Sequence, residues 1–176
     1  MVSNASQQQT LVLLVRPGAD VVGRVTGLLR SRQVSLQAIS VSRTADACSV
    51  QLTLVIGGDA DDALRVTKQL ARLIQVQHVE NMGSRPHVAR DLALIKVAGV
   101  GDNRLRVTEI CDQYRARIID ESPGAMIVEA SGEAGELDRL TEQLEPLGVL
   151  EVARHGPLAM GGGERTLQEA IQVKPA

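Results

Sequence analysis

The 176-residue sequence predicts an α+β protein built from two consecutive βαββαβ units. The first supporting observation is an internal repeat, because strand-like and helix-like segments recur in the same order with an offset of about eighty residues. The second is hydrophobic periodicity, in which short alternating segments interleave with segments that repeat at helical spacing. The third is residues 89–97, which begin as a charged linker and end as a strand. Two helices on one face of a four-stranded antiparallel sheet, the ferredoxin-like arrangement, would bury this pattern.

The first unit is predicted from six segments that follow one another with short connections. Its strands are residues 11–15, 36–42, 49–56 and 76–81, and its helices are residues 20–31 and 59–72. Pro17 and Gly18 predict a turn after the first strand, and Asp20 is a favourable N-cap for the helix that follows. Asp59, with acidic residues just after it, suits the start of the second helix.

Each predicted helix of the first unit carries an apolar stripe. In the first helix the stripe is Val21, Val22, Val25, Leu28 and Leu29. Gly23 and Gly27 lie four residues apart on this helix, and either another backbone packs closely there or the glycines are simply tolerated. In the second helix the predicted buried stripe is Leu64, Thr67, Leu70, Ala71 and Ile74. Its basic residues, Arg65, Lys68 and Arg72, form either a solvated face or a docking face.

The second unit repeats this order. Its strands are predicted at residues 92–97, 117–122, 125–130 and 149–155, and its helices at residues 103–114 and 133–144. The residues expected to be buried in these helices are Leu105, Val107, Ile110, Tyr114 or Cys111, and then Leu137, Leu140 and Leu144. Gly99 and Gly101 predict an ordinary strand-to-helix turn, because the third glycine of a dinucleotide-binding loop and the lysine of a P-loop are both missing.

Composition and charge exclude several classes of partner. The formal net charge is −2, basic and acidic residues are interspersed, and Tyr114 is the only aromatic residue. Nucleic-acid binding favours clustered cations and stacking aromatics, so nucleic acid is not expected as a partner. No apolar run approaches the ~20 residues of a membrane helix, and no signal-peptide pattern begins the chain. We therefore expect a cytoplasmic protein without membrane contact.

The aliphatic composition predicts self-association. The repeat gives two domains of roughly 75 to 80 residues, a size at which cores are small. With neither Phe nor Trp, these cores must be built from aliphatic side chains, which bury less area than rings. We expect a homodimer through the first units, with residues 11–15, 36–42 and 20–31 near the interface, because open sheet edges must be covered or paired.

No combination of residues predicts catalysis or a metal site. Cys48 and Cys111 lie in different halves without ligand spacing, and we expect both to be reduced, half-buried packing residues. The histidines, His78, His87 and His155, show no pairing signal for a triad or a metal. Asp120 and Glu121 are adjacent on a strand and therefore point to opposite faces. The pattern indicates a binding or regulatory protein.

Several separated motifs resemble those of one family, the small or regulatory subunit of acetolactate synthase. The motifs are residues 91–97 (DLALIKV), 114–123 (YRARIIDESP), 66–70 (VTKQL) with 73–74 (LI), and 151–156 (EVARHG). The resemblance covers residues 10–163 and implies an ACT domain followed by a second ferredoxin-like domain. The implied limits are a disordered start at 1–9, an ACT domain at 10–82, a linker at 83–90, a C-terminal domain at 91–160 and a flexible tail at 161–176.

The resemblance implies a role without catalysis on this chain. Family members bind a large catalytic subunit that carries thiamine diphosphate, Mg²⁺ and FAD and joins a pyruvate-derived hydroxyethyl group to pyruvate or 2-oxobutyrate. The small subunit raises that activity in branched-chain amino acid biosynthesis and in many members confers sensitivity to valine, which binds between paired ACT domains. The alternative from another class is a free-standing ACT-type amino-acid sensor, or a degenerate ligand-binding homodimer, without an enzyme partner.

The implied effector site falls where this sequence departs from the family. Its positions here are Pro17, Gly18, Asp20, Val21, Val22, Gln33, Val34, Ser35 and Leu36. The family has an Asn and a Gly in the first turn and a Gly-aromatic-Asn triplet after the first helix, whereas an ungapped alignment places Pro17 and Asp20 in the turn and residues 33–35 at the triplet.

These departures predict weak or absent valine binding. Asp20 would bring a second carboxylate to the ligand's carboxylate, and its N-cap bonds would occupy the N–H donors the ligand needs. Loss of the Asn removes a further polar contact worth roughly 1.5–3 kcal/mol. The alternative is a loop shifted by two residues, in which Pro17 and Gly18 form the family's turn and valine or another amino acid still binds.

Overall fold

A computed structural model describes residues 8–18, 20–99, 101 and 103–172 of the chain. Most of the predicted disordered start, residues 1–9, lies outside the described residues. Gln8 and Gln9 are described, and they already belong to the first strand, which begins three residues before the predicted start at Leu11.

The elements occur in the predicted order and confirm the two βαββαβ units. They are β1 Gln8–Val15, α1 Val21–Ser31, β2 Leu36–Arg43, β3 Val50–Gly57, α2 Ala60–Leu70, β4 Val76–Asn81, β5 His87–Ala98, α3 Asn103–Tyr114, β6 Arg117–Ser122, β7 Ala125–Gly132, α4 Ala134–Leu144, β8 Val149–Gly161 and α5 Leu167–Gln172. Single 3₁₀ turns occupy Met82–Ser84 and Glu145–Leu147. The described part of the chain separates into two compact units, residues 8–88 with 157–172, and residues 89–156.

The first unit has a four-stranded antiparallel sheet in the order β2-β3-β1-β4. Alternate side chains of β1 and β3, including Leu11, Leu13 and Leu54, point toward α1 and α2 and are fully buried. Val21, Val25 and Leu29 of α1 complete this core, which confirms the predicted stripe of that helix. Because β1 lies between β3 and β4, it has no open edge, so only β2 and α1 of the predicted dimer elements can face another copy.

The second face of this sheet is also buried. Val12, Leu14 and Thr53 point away from the helices, yet each is at most 1% exposed. Residues 157–172, which we call the C-terminal strap, belong to the same unit and hydrogen-bond to this sheet. Ser40 Oγ donates to the Pro157 carbonyl oxygen at 2.7 Å. The strap therefore covers the second face of the sheet, which a two-layer βαββαβ unit leaves exposed.

The strap corrects the predicted domain limits at the C-terminus. The sequence predicts a second domain up to residue 160 and a flexible tail from 161 to 176, because three successive glycines suggest a break. Instead β8 continues to Gly161, the Gly162 N–H donates to the Pro86 carbonyl oxygen at 2.9 Å, and α5 follows. The predicted linker 83–90 is likewise shorter, since β5 begins at His87. Residues 173–176 lie outside the described residues.

The second unit has a sheet in the order β6-β7-β5-β8. Ala93, Ile95 and Val97 of β5 face α3 and α4 and are fully buried. Leu137, Leu140 and Leu144 of α4 are buried against them, as predicted. On the opposite face Leu92 and Leu94 remain 42% and 38% exposed. The second sheet thus has one buried and one partly exposed face.

The predicted buried faces of α2 and α3 are each wrong at particular positions. In α2 the buried residues are Ala63, Val66 and Leu70, while Leu64 is half exposed and Ile74, beyond the end of the helix, is 82% exposed. The helix places the small Ala63, and not the larger Leu64, against the sheet. In α3 Val107 and Cys111 are buried and Ile110 and Tyr114 pack against the core, as predicted, and only Leu105, at 72% exposure, departs from the prediction.

The two cysteines differ in environment. Both are free, as predicted, but Cys48 is exposed in the β2–β3 hairpin rather than half-buried. The hairpin is held by Asp46, which accepts hydrogen bonds from the Cys48 N–H and from Ser49 Oγ. Both bonds lower the pKa of the Asp46 carboxyl, and the bond from the Cys48 N–H has the larger effect. Cys111 packs in the second core, where burial raises its thiol pKa to about 11.

Candidate effector site

The first group of predicted effector residues lies where β1 leads into α1. Pro17, Gly18 and Asp20 are exposed, Val21 is buried in the core and Val22 is partly buried against it. Ala19 lies outside the described residues. The Arg16 N–H donates to the Gln75 carbonyl oxygen at 2.9 Å, which attaches the start of this loop to the residue just before β4. An exposed loop thus precedes a helix whose first residue is anchored in the core.

Asp20 occupies the N-cap position of α1 but does not act as the predicted side-chain cap. Its backbone is left-handed, with φ 77°, and its carboxylate makes no hydrogen bond to the helix N–H groups. A capping side chain needs an extended backbone, as at Asp59 of α2, where φ is −86° and the carboxylate accepts from the Asp62 N–H at 2.8 Å. The expectation that Asp20 occupies the first-turn donors is therefore wrong.

The Asp20 carboxylate instead lies against the first turn of α1. A Cβ atom added to Gly23 would stand 2.1 Å from Asp20 Oδ1, so the glycine makes room for this side chain. Nothing lies within 4 Å of a Cβ at Gly27. Within the described chain, no other backbone packs closely against either glycine. The Asp20 carboxylate lies beside the positive end of the helix.

The only ion pair of Asp20 among the described residues is a weak one. Arg24 Nε is 3.9 Å from Asp20 Oδ2, and the two side chains are 54% and 69% exposed. An exposed pair at this distance contributes little, because solvent screens it. An anionic ligand approaching the N-terminus of α1 would therefore meet an almost unpaired carboxylate.

The second group of predicted effector residues follows the C-terminus of α1. Gln33 has a left-handed backbone, with φ 57°, and its N–H donates to the Arg30 carbonyl oxygen, while the Val34 N–H donates to the Leu29 carbonyl oxygen. These two bonds form a Schellman motif, which usually places glycine at the left-handed position. Val34 and Leu36 pack on the core, and Ser35 is exposed.

The two groups lie at opposite ends of the unit. β1 and β3 pair from Gln8 opposite Gly57 to Val15 opposite Val50. The first group follows Val15, whereas the Ser35 carbonyl oxygen accepts from the Gly57 N–H at 2.9 Å. An eight-residue strand separates these ends by roughly 24 Å. One copy of the unit therefore cannot enclose a small amino acid with both groups, and a site made from both would need two copies.

The remaining candidate groups engage separate partners. Glu121 pairs with Arg104, with 2.9 Å between Oε2 and Nη1, whereas Asp120 Oδ2 accepts from Ser122 Oγ at 3.1 Å. The adjacent carboxylates thus bind different groups and form no joint site.

In the part of the chain that the structure describes, no three His, Cys, Asp or Glu side chains group as metal ligands. None of the described helices is long and apolar enough to cross a membrane.

Comparison with known proteins connects this fold to one family. Residues 90–163 match the family of the small subunit of acetolactate synthase, and residues 18–79 match an ACT domain family. The acetolactate synthase small subunit of Bacillus subtilis (strain 168) is 34% identical over 166 residues, which cover 94% of this chain and 94% of that protein. The Mycobacterium bovis small subunit is 34% identical over 161 residues, covering 92% of this chain and 96% of that protein.

The structural comparison agrees. The crystal structure of the acetolactate synthase small subunit from Thermotoga maritima superposes with a TM-score of 0.81, covers 90% of this chain and 99% of that chain, and is 24% identical. That likeness shows the shared fold. The sequence similarity at 34% runs through both βαββαβ units and nearly the full length of the relatives. The chain therefore belongs to the acetolactate synthase small subunit family, whose members are regulatory subunits of that enzyme.

Proposed function

We propose that this chain is a non-catalytic subunit that binds and activates the catalytic subunit of a cytoplasmic acetolactate synthase. The observation that carries this proposal is the match to relatives named acetolactate synthase small subunit across 92–94% of the chain. We expect thiamine diphosphate, Mg²⁺ and FAD on the catalytic partner, which performs the carboligation that leads to valine, leucine and isoleucine.

We further propose that the active form is a homodimer through the first units. β2 is an edge strand of the first sheet, and Val41 on it is 54% exposed. An exposed edge strand with an apolar side chain favours pairing with another copy. Joining two units would also bring the first effector group of one copy within reach of the second group of its neighbour, which a single copy cannot do.

The geometry supports weak valine binding, but for a different physical reason from the one expected from the sequence. Asp20 does not block the N–H donors of α1 by capping them. Its carboxylate nevertheless lies beside those donors with only a 3.9 Å exposed ion pair to offset it. Repulsion between this carboxylate and that of an amino acid would weaken binding at the N-terminus of α1.

Co-purification tests the proposed partnership. The tagged full-length chain, expressed in its own cell, should retain a thiamine-dependent carboligase through washing at moderate salt. A control carrying the same tag on an unrelated ACT-domain protein should not retain it. Capture of the chain alone, at dimer size, would favour the alternative of a free-standing amino-acid sensor.

A further inference from the structure

A cavity of about 360 Å³, open to solvent on one side, lies between the sheet of the first unit and the C-terminal strap. The β2–β3 hairpin forms one side, including Arg43 and Thr44, and Leu14 of β1 contributes to the base. Leu158, Met160 and Leu167 of the strap form the opposite side. None of the effector residues predicted from the sequence lines this cavity, so it is a separate place on the molecule.

The lining of the cavity is cationic. It includes the arginines Arg43, Arg85 and Arg165 and contains neither Asp nor Glu. Arg85 is largely buried and pairs with Glu80, with 3.0 Å between Nε and Oε1. Within the described chain, Arg43 and Arg165 have no ion-pair partner. Two positive charges therefore face the cavity without a carboxylate to balance them.

The strap contributes apolar surface to the same cavity. On the strand, Ala159 is fully buried, and its neighbours Leu158 and Met160 are 47% and 66% exposed. Such exposure of large apolar side chains beside unpaired cations favours an occupant that has both a negative group and a hydrocarbon body. The first turn of α5 is not the anion site, because the Thr166 N–H already donates to Glu169 Oε2 at 2.9 Å.

We propose that this cavity binds a small aliphatic carboxylate. The carboxylate would pair with Arg43 and Arg165, and the hydrocarbon body would cover Leu158 and Met160. A bare inorganic anion would leave the apolar side uncovered, and a neutral hydrocarbon would leave the guanidinium groups unpaired. The volume lies near the lower limit of ~300 Å³ for ligand pockets, so the occupant is a short-chain acid rather than a long-chain lipid. This proposal does not depend on the proposed activation of a catalytic subunit.

Titration of the full-length chain with short-chain acids tests the site. Acetate, butyrate and hexanoate would be added at constant ionic strength, and the amide resonances of Ala45, Gly161 and Gly163 would be followed by NMR. We expect saturable shifts at these amides and affinity that rises up to about fourfold per added methylene. Hexylammonium and inorganic phosphate should produce no such saturable shifts.

Paired variants identify the groups responsible. The double variant Arg43→Gln with Arg165→Gln should weaken hexanoate binding at least tenfold. The control, Arg72→Gln with Arg106→Gln, removes the same charge at arginines that are equally exposed but do not line the cavity, and it should leave the affinity within twofold. Met160→Ala should reduce the dependence on chain length while keeping the dependence on charge.

Three results would overturn the proposal. One is the absence of saturable shifts at these amides with 20 mM hexanoate. Another is phosphate binding as tightly as hexanoate, which would indicate a simple anion site. The third is an equal effect of the cavity variant and its charge-matched control, which would indicate screening of the whole protein rather than a site.

Discussion

Gln51 of β3 donates a hydrogen bond from Nε2 to the carbonyl oxygen of Ala159 at 2.9 Å, across 108 positions of sequence. Both residues are buried, at 9% and 0% exposure. The bond joins the first sheet to the C-terminal strap, so the N-terminal unit depends on residues from the end of the chain. Removing one buried partner leaves the other unsatisfied, which is the costly case for a hydrogen bond.

Gln51→Ala should lower the free energy of unfolding by about 1–3 kcal/mol, because the Ala159 carbonyl oxygen loses its donor. Urea denaturation followed by circular dichroism would measure the change. Gln37→Ala, on the exposed surface of β2, is the matched control and should alter stability by no more than about 0.5 kcal/mol. Equal small effects would show that the strap bond adds nothing to stability.

Gln33→Gly should stabilise the chain by about 0.5–1 kcal/mol, because glycine adopts the left-handed conformation of this position without a Cβ penalty. Gln33→Ala keeps the Cβ and is the control, which should give no gain. Thermal unfolding of the three proteins side by side would make the comparison. A loss of stability on Gln33→Gly would mean that the Gln33 side chain makes a stabilising contact.

Asp20→Asn should tighten valine binding by about tenfold or more, because the substitution removes the carboxylate beside the α1 N-terminus and keeps a side chain that tolerates φ 77°. Isothermal titration of wild type and variant with valine would provide the affinities. Asp61→Asn, in the first turn of α2, removes the same charge elsewhere and should have no effect. Micromolar valine binding by the unaltered chain would contradict the proposed repulsion.

The two cysteines should react at very different rates. Cys48 is exposed and should react quickly with a thiol reagent at pH 8, whereas Cys111 is buried with a thiol pKa of about 11 and should react only after unfolding. Counting modified thiols by mass spectrometry, with Cys48→Ser as the control, checks this. Rapid modification of the Cys48→Ser protein would show that the second core opens readily.

The same pKa predicts a pH dependence of stability. The Cys111 pKa lies above its ordinary value of 9.0, so the folded state keeps the proton to a higher pH than the unfolded state. The resulting stabilisation is complete below about pH 9 and is lost as the pH rises toward about 11. The free energy of unfolding of the wild type should fall more steeply over this range than that of Cys111→Ala. Parallel slopes would argue against a buried, protonated thiol.

The order of elements could be predicted because the internal repeat shows the same pattern of strands and helices twice. The face of α2 could not be assigned correctly, since Ala63 carries little hydrophobic signal and Leu64 carries a strong but misleading one. Ile74 is a second misleading signal, because it lies beyond the end of α2 and large apolar side chains there can remain in solvent.

One available signal was missed. The five consecutive apolar residues 11–15 are typical of a strand covered on both faces, and all five are buried. An alternating strand would need cover on one face only, and the glycines at 161–163 suggest a free tail. The bonds from Ser40 and Gln51 to the strap join residues more than a hundred positions apart, which local patterns do not indicate.

The candidate effector site was predictable only as two separate segments. The resemblance to the family identified the positions, and the register of β1 with β3 shows that they lie at opposite ends of one unit. The left-handed backbone of Asp20 was not foreseeable, because aspartate is also a favourable N-cap in the extended conformation. Only the backbone angle distinguishes a carboxylate that satisfies the helix donors from one that stands beside them.

The most direct test of the proposed function is the activation of a purified catalytic subunit. Acetolactate formation from pyruvate would be measured with thiamine diphosphate, Mg²⁺ and FAD present, while the full-length chain is added in increasing amounts. We expect no turnover by the chain alone and a saturable rise in the rate of the catalytic subunit. A rate that stays unchanged up to a large molar excess of the chain, with both proteins folded, would contradict the proposed role.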